Sequence, residues 1–282
     1  MNPDTAFDRP ADIEQAVRAA LIEDIGAGDI TASLIPATRA ATADVICREP
    51  AVLAGAPWFD TVFALLDPAV AVHWHVGDGA RIAADTVVAT LAGPARAIVT
   101  GERTALNFLQ TLSGTATVTR RYVDAVAATS TRILDTRKTL PGLRSAQKYA
   151  VRCGGGSNHR MGLFDAVLIK ENHIAAAGSI AAAVAAIREN HPAIRIEVEV
   201  ETMGELEQAL AAGVDMIMLD EFDLDAMRRA TRLVAGRAQV EISGGVGFDR
   251  LEQLAAVGAD FISVGSLTKH VPAVDFSMRI RD

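Results

Sequence analysis

The stretch Ile194–Asp220, which reads IRIEVEVETMGELEQALAAGVDMIMLD, contains a complete strand–helix–strand unit. Two strand-like runs, Ile194–Val200 and Met216–Asp220, flank the segment Met203–Ala212, where apolar residues recur at helical spacing. Two strands joined by a helix of this length pair in parallel, because the helix carries the chain back to the starting edge of the sheet. The stretch therefore predicts a parallel sheet covered by helices.

The same alternation continues on both sides of this unit. Four more strand-like runs and three more helical segments follow one another along the chain: Arg132–Asp135, Ala166–Lys170, Val240–Ser243 and Phe261–Gly265 as strands, and Ser179–Asn190, Leu224–Ala235 and Asp249–Val257 as helices. Five of the six predicted strands end in a polar residue or a glycine, and the other, Ile194–Val200, has Glu199 as its second-last residue. Barrel enzymes collect their chemistry at that rim, whereas an open sheet concentrates it near one crevice. We therefore expect a (β/α) barrel, with a doubly wound sheet as the alternative.

The first hundred residues have a pattern typical of a mixed α+β unit. Asp12–Glu23 carries apolar residues at helical spacing and predicts a helix. A long helix is expected over about Thr100–Ser113, continuing after Gly114. Short apolar runs separated by glycine and proline turns predict an antiparallel sheet. These runs are Ala43–Cys47, Ala51–Ala54, Ala69–Val76 and Thr86–Leu91.

Composition narrows the class of protein. The chain has 282 residues and a formal net charge of −8, which argues against a general nucleic-acid binder, because phosphate backbones require a basic face. It contains no apolar run long enough for a membrane span, and residues 1–10 lack the pattern of a secretory signal. Its two cysteines, Cys47 and Cys153, are too few for a disulfide framework. We expect a cytoplasmic protein without a membrane or nucleic-acid partner.

The ends of the predicted strands carry the candidate functional residues. In chain order they are Asp135-Thr136-Arg137-Lys138, Lys170, Glu199, Asp220, Ser243-Gly244-Gly245 and Val264-Gly265-Ser266. Glycine-rich turns after the last strands of a barrel commonly bind phosphate through backbone N–H groups. Tight turns with no ligand are the alternative interpretation of the two glycine segments.

Two carboxylates, Glu199 and Asp220, are predicted to face the same rim. They would suit Mg²⁺ held partly by substrate oxygens, and acid–base catalysis is the rival role. Because side chains alternate along a strand, Glu197, Glu199 and Glu201 share one face, and spacing alone does not choose among them. Solvated charges at a sheet edge are the third interpretation.

A cluster of basic residues lies between residues 137 and 170, with Gly154-Gly155-Gly156 among them. Its members are Arg137, Lys138, Arg144, Lys148, Arg152, His159, Arg160 and Lys170. Lys148 and Arg152, four residues apart, could belong to a solvated helix face. Arg137, Lys138 and Lys170 differ because they follow strands. Cations opposite two carboxylates predict a substrate with several negative charges, bound beside a metal ion.

Several motifs resemble the quinolinate phosphoribosyltransferase family. They are Glu102–Asn107 (ERTALN), Asp135–Thr139 (DTRKT), Pro141–Arg144 (PGLR), Gly154–Arg160 (GGGSNHR), Leu168–His173 (LIKENH), Glu197–Glu201 (EVEVE), Leu219-Asp220, Ser243-Gly244-Gly245 and Ser263-Val264-Gly265. The likeness extends from Glu23 to about Val271. Ordered agreement of this many motifs is far more specific than any one of them.

The resemblance implies a fold and an assembly. An N-terminal α/β sandwich, residues 1–114 joined by the tail 267–282, would precede an incomplete α/β barrel over residues 115–266. The protein would form a homodimer with shared active sites, or a higher oligomer. Its activity would be that of a decarboxylating pentosyltransferase that makes nicotinate mononucleotide, pyrophosphate and CO₂ from quinolinate and phosphoribosyl pyrophosphate in NAD biosynthesis.

The resemblance also implies roles for individual residues. Arg103 would come from the neighbouring subunit, and Arg137, His159, Arg160 and Lys170 would hold the quinolinate carboxylates. The phosphoribosyl pyrophosphate would bind to Thr136, Lys138, Glu199, Asp220, Ser243, Gly244, Gly245, Val264, Gly265 and Ser266, with Mg²⁺ on Glu199 and Asp220. Lys138, Lys170, Glu199 and Asp220 would be catalytic.

Two other functions remain open at the level of the sequence. Lys170 could form a Schiff base, as strand-end lysines of barrel aldolases do, although the surplus of cations and the paired carboxylates would then have no role. A non-catalytic paralogue, such as the related protein associated with molybdate transport, would be expected to lack Lys170. Both alternatives explain fewer of the residues at the strand ends.

Overall fold

The computed structural model describes residues 7–281, and the chain forms two compact units. The first contains the chain up to Arg120 together with Thr139–Gly155 and the residues from Ser266 onward. The second contains Arg121–Lys138 and Gly156–Gly265. The expected domain boundaries after residues 114 and 266 stay predictions. Residues 1–6 and 282, which the expected first domain and its tail include, lie outside the described residues.

The strands of the first unit are antiparallel. The main sheet contains β1 (Ala40–Cys47), β3 (Ala71–Trp74), β5 (Thr86–Pro94) and β12 (Phe276–Ile280), in the order β12-β1-β5-β3, while β2 (Ala51–Val52) pairs with β4 (Arg81–Ile82). In β1, Ala43, Val45 and Cys47 are fully buried, which is the two-residue period of a strand with one face on the core. The antiparallel sheet predicted from the sequence is confirmed, except that Ala51–Val52 pairs outside it.

The helices of the first unit cover the core. They are α1 (Ile13–Ile25), α2 (Ala56–Leu66), α3 (Ala95–Ala125), α4 (Arg144–Cys153) and α10 (Ser266–Lys269). The predicted helix after Thr100 is confirmed and begins earlier, at Ala95. Helix α2 was not predicted, because Trp58, Phe59 and Phe63 leave too little polar contrast for a helical period to show.

The second unit is an incomplete parallel barrel. Its strands are β6 (Arg132–Leu134), β7 (Val167–Ile169), β8 (Ile196–Val200), β9 (Met216–Leu219), β10 (Gln239–Ile242) and β11 (Phe261–Ser263). The sheet order β6-β11-β10-β9-β8-β7 proceeds in one direction from β7 to β11 and then returns to β6. A doubly wound sheet would reverse direction at a central strand. The order is therefore that of a barrel with a gap between β6 and β7, and the parallel strands predicted from the sequence are confirmed.

Helices connect the strands of the barrel, and local sequence sets where several of them begin. They are α5 (Glu171–Ala177), α6 (Ile180–Asn190), α7 (Met203–Ala211), α8 (Leu224–Val234) and α9 (Leu251–Ala255). Before α7, the Thr202 hydroxyl accepts the Glu205 N–H and the Glu205 carboxylate accepts the Thr202 N–H. Ser179 and Asp223 cap α6 and α8 in the same way with one bond each. Within residues 7–281, no helix is long and apolar enough to cross a membrane.

Candidate active site

A cavity of about 160 Å³ lies within the second unit and brings together residues from the predicted strand ends. It is lined by Thr136, Arg137, Lys138, His159, Arg160, Leu168, Lys170, Glu199, Met218, Glu241, Ser243 and Ser263. Because side chains alternate along β8, Glu197 projects to the same face of the sheet as Glu199, where it lines an adjacent cavity with His159 and Arg160. Asp220 follows β9 and does not line this cavity. We call Arg137, Lys138, Lys170, Glu199 and Asp220 the rim layer, and His159, Glu197 and Glu241 the floor cluster.

The cationic side of the rim layer contains two neighbouring guanidinium groups. Burial lowers the pKa of Arg160, and the charge of the nearby Arg137 lowers it further. The Nε of Arg137 is buried and makes no hydrogen bond. The Arg160 guanidinium donates to the backbone oxygen of Ala166 at 3.3 Å. The charges of Glu197 and Asp165 act in the opposite direction on the pKa of Arg160, so the protein balances the two like charges only in part.

Lys170 and Glu199 form an ion pair across the ends of β7 and β8. The Glu199 side chain is 12% exposed and that of Lys170 is 44% exposed, so the pair is open to ligands from one side. The Lys170 amino group is engaged by the Glu199 carboxylate, whereas a Schiff-base nucleophile must be free to attack the carbonyl carbon of its substrate. The geometry therefore favours binding of an anion by Lys170 over covalent catalysis.

Glycines at the strand ends let the backbone approach the rim layer closely. Gly244 has φ of +82°, and a Cβ at this position would lie 2.4 Å from the Oδ1 atom of Asp220. A Cβ at Gly265 would lie 3.0 Å from the Cδ atom of Lys138 and 3.5 Å from the Thr136 hydroxyl. Larger residues at these positions would displace Asp220 and Lys138. Both glycine turns predicted from the sequence therefore contact rim residues.

The floor cluster is buried and contains two carboxyl groups. Glu197 is 4% exposed and Glu241 is 0% exposed. The Nε2 atom of His159 lies 2.7 Å from Glu197 Oε2 and 3.6 Å from Glu241 Oε2. Burial raises the pKa of Glu197, and burial together with the charge of Glu197 raises the pKa of Glu241. Two carboxyl groups this close in a buried site favour sharing one proton.

Hydrogen bonds fix the protonation of the His159 ring. The backbone N–H of Arg160 donates to Nδ1 at 2.8 Å, so Nδ1 carries no proton and the neutral ring carries its proton on Nε2. That Nε2–H donates to Glu197. The backbone of the loop is fixed as well, because the Asp135 carboxylate accepts the His159 N–H at 2.8 Å and the Asn158 amide at 2.6 Å. Both ring nitrogens are thus engaged within the protein.

The other predicted residues fall in several places. Arg103 is exposed on α3 of the first unit and does not line this cavity, and its role in a neighbouring subunit stays a prediction. Gly245, with φ of +53°, and Val264 follow β10 and β11. Ser266 begins α10 and groups with the first unit. The ligand contacts proposed for these residues also stay predictions.

The interpretation of Lys148 as part of a solvated helix face is wrong. Its side chain is 1% exposed, because α4 turns that side toward the core. Arg152, on the same helix, is partly buried over the ring of Tyr149 at 5.8 Å. The structure also separates the three glutamates of β8: Glu199 joins the rim, Glu197 joins the floor, and Glu201 is exposed.

Sequence reasoning missed Glu241, although a signal for it exists. A charged residue between Val240 and Ile242, inside a strand that is otherwise apolar, requires a buried partner. Glu241 also lies two residues before Ser243, which places both on the face that lines the cavity. The loop position of His159 beside it depends on tertiary structure and could not be deduced from spacing.

The donor set at the rim fits a hard divalent cation. Glu199 and Asp220 end neighbouring parallel strands, and carboxylate oxygens are ligands that Mg²⁺ favours. Asp220 Oδ1 lies where a side chain at residue 244 would be placed, so Gly244 lets this carboxylate pack against the turn after β10. His159, Glu197 and Glu241 are also close enough to share a cation. The imidazole and Glu197 already satisfy each other there, so the rim suits Mg²⁺ better.

Comparison with known proteins gives one consistent family. Residues 29–113 match the model of the quinolinate phosphoribosyl transferase N-terminal domain, and residues 115–279 match that of the C-terminal domain. A probable nicotinate-nucleotide pyrophosphorylase (carboxylating) of Synechocystis sp. is 44% identical over 264 residues, covering 92% of this chain and 90% of the relative. The nicotinate-nucleotide pyrophosphorylase (carboxylating) of Mycobacterium leprae is 41% identical over 290 residues, with 99% of each chain covered.

Solved structures agree with these sequence matches. The nicotinate-nucleotide pyrophosphorylase of Francisella tularensis superposes with a TM-score of 0.93 at 44% identity, covering 99% of this chain and all of that one (100%). NadC from Streptococcus pyogenes gives a TM-score of 0.94 at 40% identity, with 99% and 100% of the two chains covered. The similarity therefore extends through both units of the structure.

Proposed function

This chain belongs to the quinolinate phosphoribosyltransferase family, and from that premise we propose how its rim layer performs the reaction. The enzyme converts quinolinate and phosphoribosyl pyrophosphate to nicotinate mononucleotide, pyrophosphate and CO₂ in NAD biosynthesis. The observation that carries the site assignment is the pair of neighbouring guanidinium groups, Arg137 and Arg160, facing a cavity that also contains an ion-paired carboxylate.

The arginine pair supports binding of a dicarboxylate. Two neighbouring cations are stabilised when an anion with two carboxylates lies between them. Quinolinate carries adjacent carboxylates on a pyridine ring, and Lys170 adds a third cation to the same cavity. His159, whose ring nitrogens are both engaged, would contact the substrate through its ring face or edge and position its neighbour Arg160.

The remaining rim groups support binding of phosphoribosyl pyrophosphate. Lys138 and Thr136, packed beside Gly265, would contact its phosphates, together with the backbone of Ser243-Gly244-Gly245 and of Val264-Gly265-Ser266. Glu199 and Asp220 would hold Mg²⁺, directly or through water. When bound, Mg²⁺ supplies positive charge to the pyrophosphate oxygens.

The chemistry requires no nucleophilic side chain. The bond between the ribose C1 and the pyrophosphate oxygen breaks with its electrons on the oxygen, and the pyridine nitrogen forms the new bond to C1. Glu199 and Asp220 stabilise the positive charge on the ribose, while Lys138 and Lys170 stabilise the negative charge of the departing group. The C2–carboxylate bond then breaks, its electron pair remains beside the cationic nitrogen, CO₂ leaves, and C2 takes up a proton.

We propose a homodimer in which Arg103 of one subunit enters the site of the other. Arg103 is exposed on α3, so it is available to a neighbouring chain. Further cationic charge at the site would suit a substrate pair of this many negative charges. We also propose that the protein acts in the cytoplasm, where its substrates are soluble metabolites, and that it binds neither membranes nor nucleic acids.

The test is a comparison of quinolinate with nicotinate, which lacks the second carboxylate. We expect quinolinate to be used with release of CO₂, and kcat/KM for nicotinate to be lower by about 10⁴-fold, because buried cations lose their partner. Nucleotide formation and CO₂ release are measured in the same reactions with phosphoribosyl pyrophosphate and Mg²⁺. Comparable kcat/KM values for nicotinate and quinolinate would show that the two arginines do not recognise the second carboxylate.

A further inference from the structure

We propose that Glu197 and Glu241 are positioning residues for quinolinate: they hold the His159 ring, and the ring holds the backbone of Arg160, which places its guanidinium beside Arg137. The inference rests on the proposed binding of quinolinate by the two arginines. None of the floor cluster needs to touch the reacting atoms. Its effect reaches the substrate through one hydrogen-bonded chain.

The direction of that chain follows from the donors available. The Arg160 N–H donates to His159 Nδ1 at 2.8 Å, and His159 Nε2–H donates to Glu197 Oε2 at 2.7 Å. Each step therefore fixes the next, from the buried carboxylate to the loop that carries Arg160. The second carboxylate oxygen of Glu197 is buried and has no donor among the described residues other than the neighbouring Glu241.

Glu241 completes the chain as a proton donor. Both its oxygens are buried without a well-formed hydrogen bond among the described residues, and the nearby Ser263 hydroxyl does not prevent the rise in the pKa of Glu241. A charged carboxylate in that position would be strongly unfavourable, so Glu241 carries a proton and donates it toward Glu197. Glu197 then accepts from two sides, which fixes its carboxylate plane and with it the orientation of the imidazole.

Stability alone does not account for this arrangement. A buried polar cluster is commonly no more stable than well-packed apolar side chains of the same volume. The strands around it provide such side chains, since Leu168 and Met218 line the same cavity. The cluster lies one strand period from Glu199 and directly joins the loop that carries Arg160. This position indicates that the cluster orients a residue of the substrate pocket.

The experiment compares three variants in steady-state kinetics. Glu197→Met removes the acceptor with little change in volume, Glu197→Gln keeps an acceptor oxygen, and Glu207→Met changes an exposed glutamate on α7 as the control. For Glu197→Met we expect KM for quinolinate to rise at least about tenfold, while KM for phosphoribosyl pyrophosphate changes less than about twofold. Glu197→Gln should restore quinolinate KM to within about threefold of the parent.

Equal increases in both KM values, or a quinolinate KM unchanged in Glu197→Met, would overturn the proposal. A purely structural role would also lower the melting temperature without separating the two substrates. Activity of the parent with quinolinate tests the reaction itself, so a parent that is inactive contradicts the function, whereas an active parent without the KM separation contradicts only the positioning role.

A second measurement needs no variant of Glu197 and decides the matter if Glu197→Met fails to fold. The parent is labelled with ¹⁵N in its six histidine side chains, and His159 is identified by the signals lost in His159→Gln. We expect His159 to be a neutral ring with its proton on Nε2 near neutral pH. A proton on Nδ1, or on both nitrogens, would contradict the chain of hydrogen bonds.

Discussion

The rim layer and the floor cluster of the barrel both contain glutamates and basic side chains, but these groups lie in different surroundings. Glu199 at the rim pairs with Lys170 while that lysine stays 44% exposed, and the charge of Arg137 contributes to a lowered pKa of Arg160. One strand period away, Glu197 and Glu241 are buried, and Glu197 accepts a hydrogen bond from His159. The two regions differ chiefly in access to solvent.

This difference shows how one set of parallel strands supports both binding and positioning. Water and ligands can reach the charged side chains at the rim, so these side chains are available to charged substrates. Groups at the floor are buried away from water, and sharing protons and hydrogen bonds reduces the free-energy cost of burying them. A two-residue step along β8, from Glu197 to Glu199, therefore changes the role of a glutamate completely.

The largest effects should come from the rim carboxylates. Asp220→Asn and Glu199→Gln remove negative charge near the ribose and weaken Mg²⁺ binding, so we expect kcat to fall by about 10²- to 10³-fold. Quinolinate affinity should stay within about threefold of the parent, because the arginines remain. Turnover is measured at saturating substrates, and quinolinate binding by calorimetry. EDTA should abolish the activity of the parent.

Glu207→Gln, on the exposed face of α7, serves as the control for a lost negative charge. Parental turnover in both rim variants would contradict the catalytic role of the rim carboxylates. Full activity of the parent without divalent metal would contradict the proposed Mg²⁺ site.

A smaller effect would show whether the rim, unlike the floor, is completed by a second chain. Arg103→Ala and Lys138→Ala should each be nearly inactive alone and regain activity when mixed. Random exchange makes half of the dimers mixed, and each mixed dimer has one intact site, so about a quarter of parental sites should return. Activity is followed after mixing, with mass spectrometry to measure exchange.

Mixing Arg103→Ala with a second batch of itself is the control, since it can form no intact site. Complete exchange with activity still at the level of the single variants would mean that Arg103 serves its own chain or has no catalytic role. The floor cluster, whose residues all belong to one unit of one chain, should show no such complementation.

Most residues of the rim layer could be predicted from the sequence, because they lie at or just after the ends of predicted strands. Parallel strands present their carboxyl ends at one edge, so Lys170, Glu199 and Asp220 could be grouped before any coordinates were known. The alternation of strands and helices predicted either a barrel or a doubly wound sheet, and the residues at the strand ends favoured the barrel. The direction of the strand order then excluded the doubly wound sheet.

The floor could not be predicted in the same way, because its partners depend on distances across the barrel. Glu197 and Glu241 lie on strands separated by β9, and His159 reaches them from a loop. Sequence spacing placed Glu197 and Glu199 on one face and gave no means of separating their roles. Burial separates them, since it depends on how far each side chain lies from the open end of the barrel.

The smallest expected effect concerns stability at the floor and depends on pH. Burial raises the pKa of Glu241, and the charge of Glu197 adds to the rise. The folded protein then keeps a proton that the unfolded chain releases once the pH passes the ordinary value of 4.5. This contribution to stability is complete below that pH and is lost as the pH rises toward the raised pKa.

Glu241→Gln should remove that dependence, because the amide stays neutral and its N–H can still donate to Glu197. We expect the variant and the parent to melt at similar temperatures near pH 5, and the variant to melt about 2–4 °C higher near pH 8, which corresponds to about 1 kcal/mol in a protein of this size. Calorimetric melting curves at several pH values, with Glu207→Gln as the exposed control, measure the difference. A gap that stays constant from about pH 5 to about pH 8 would mean that Glu241 ionises in the folded protein as it does in the unfolded chain, and that the floor tolerates the same charges as the rim.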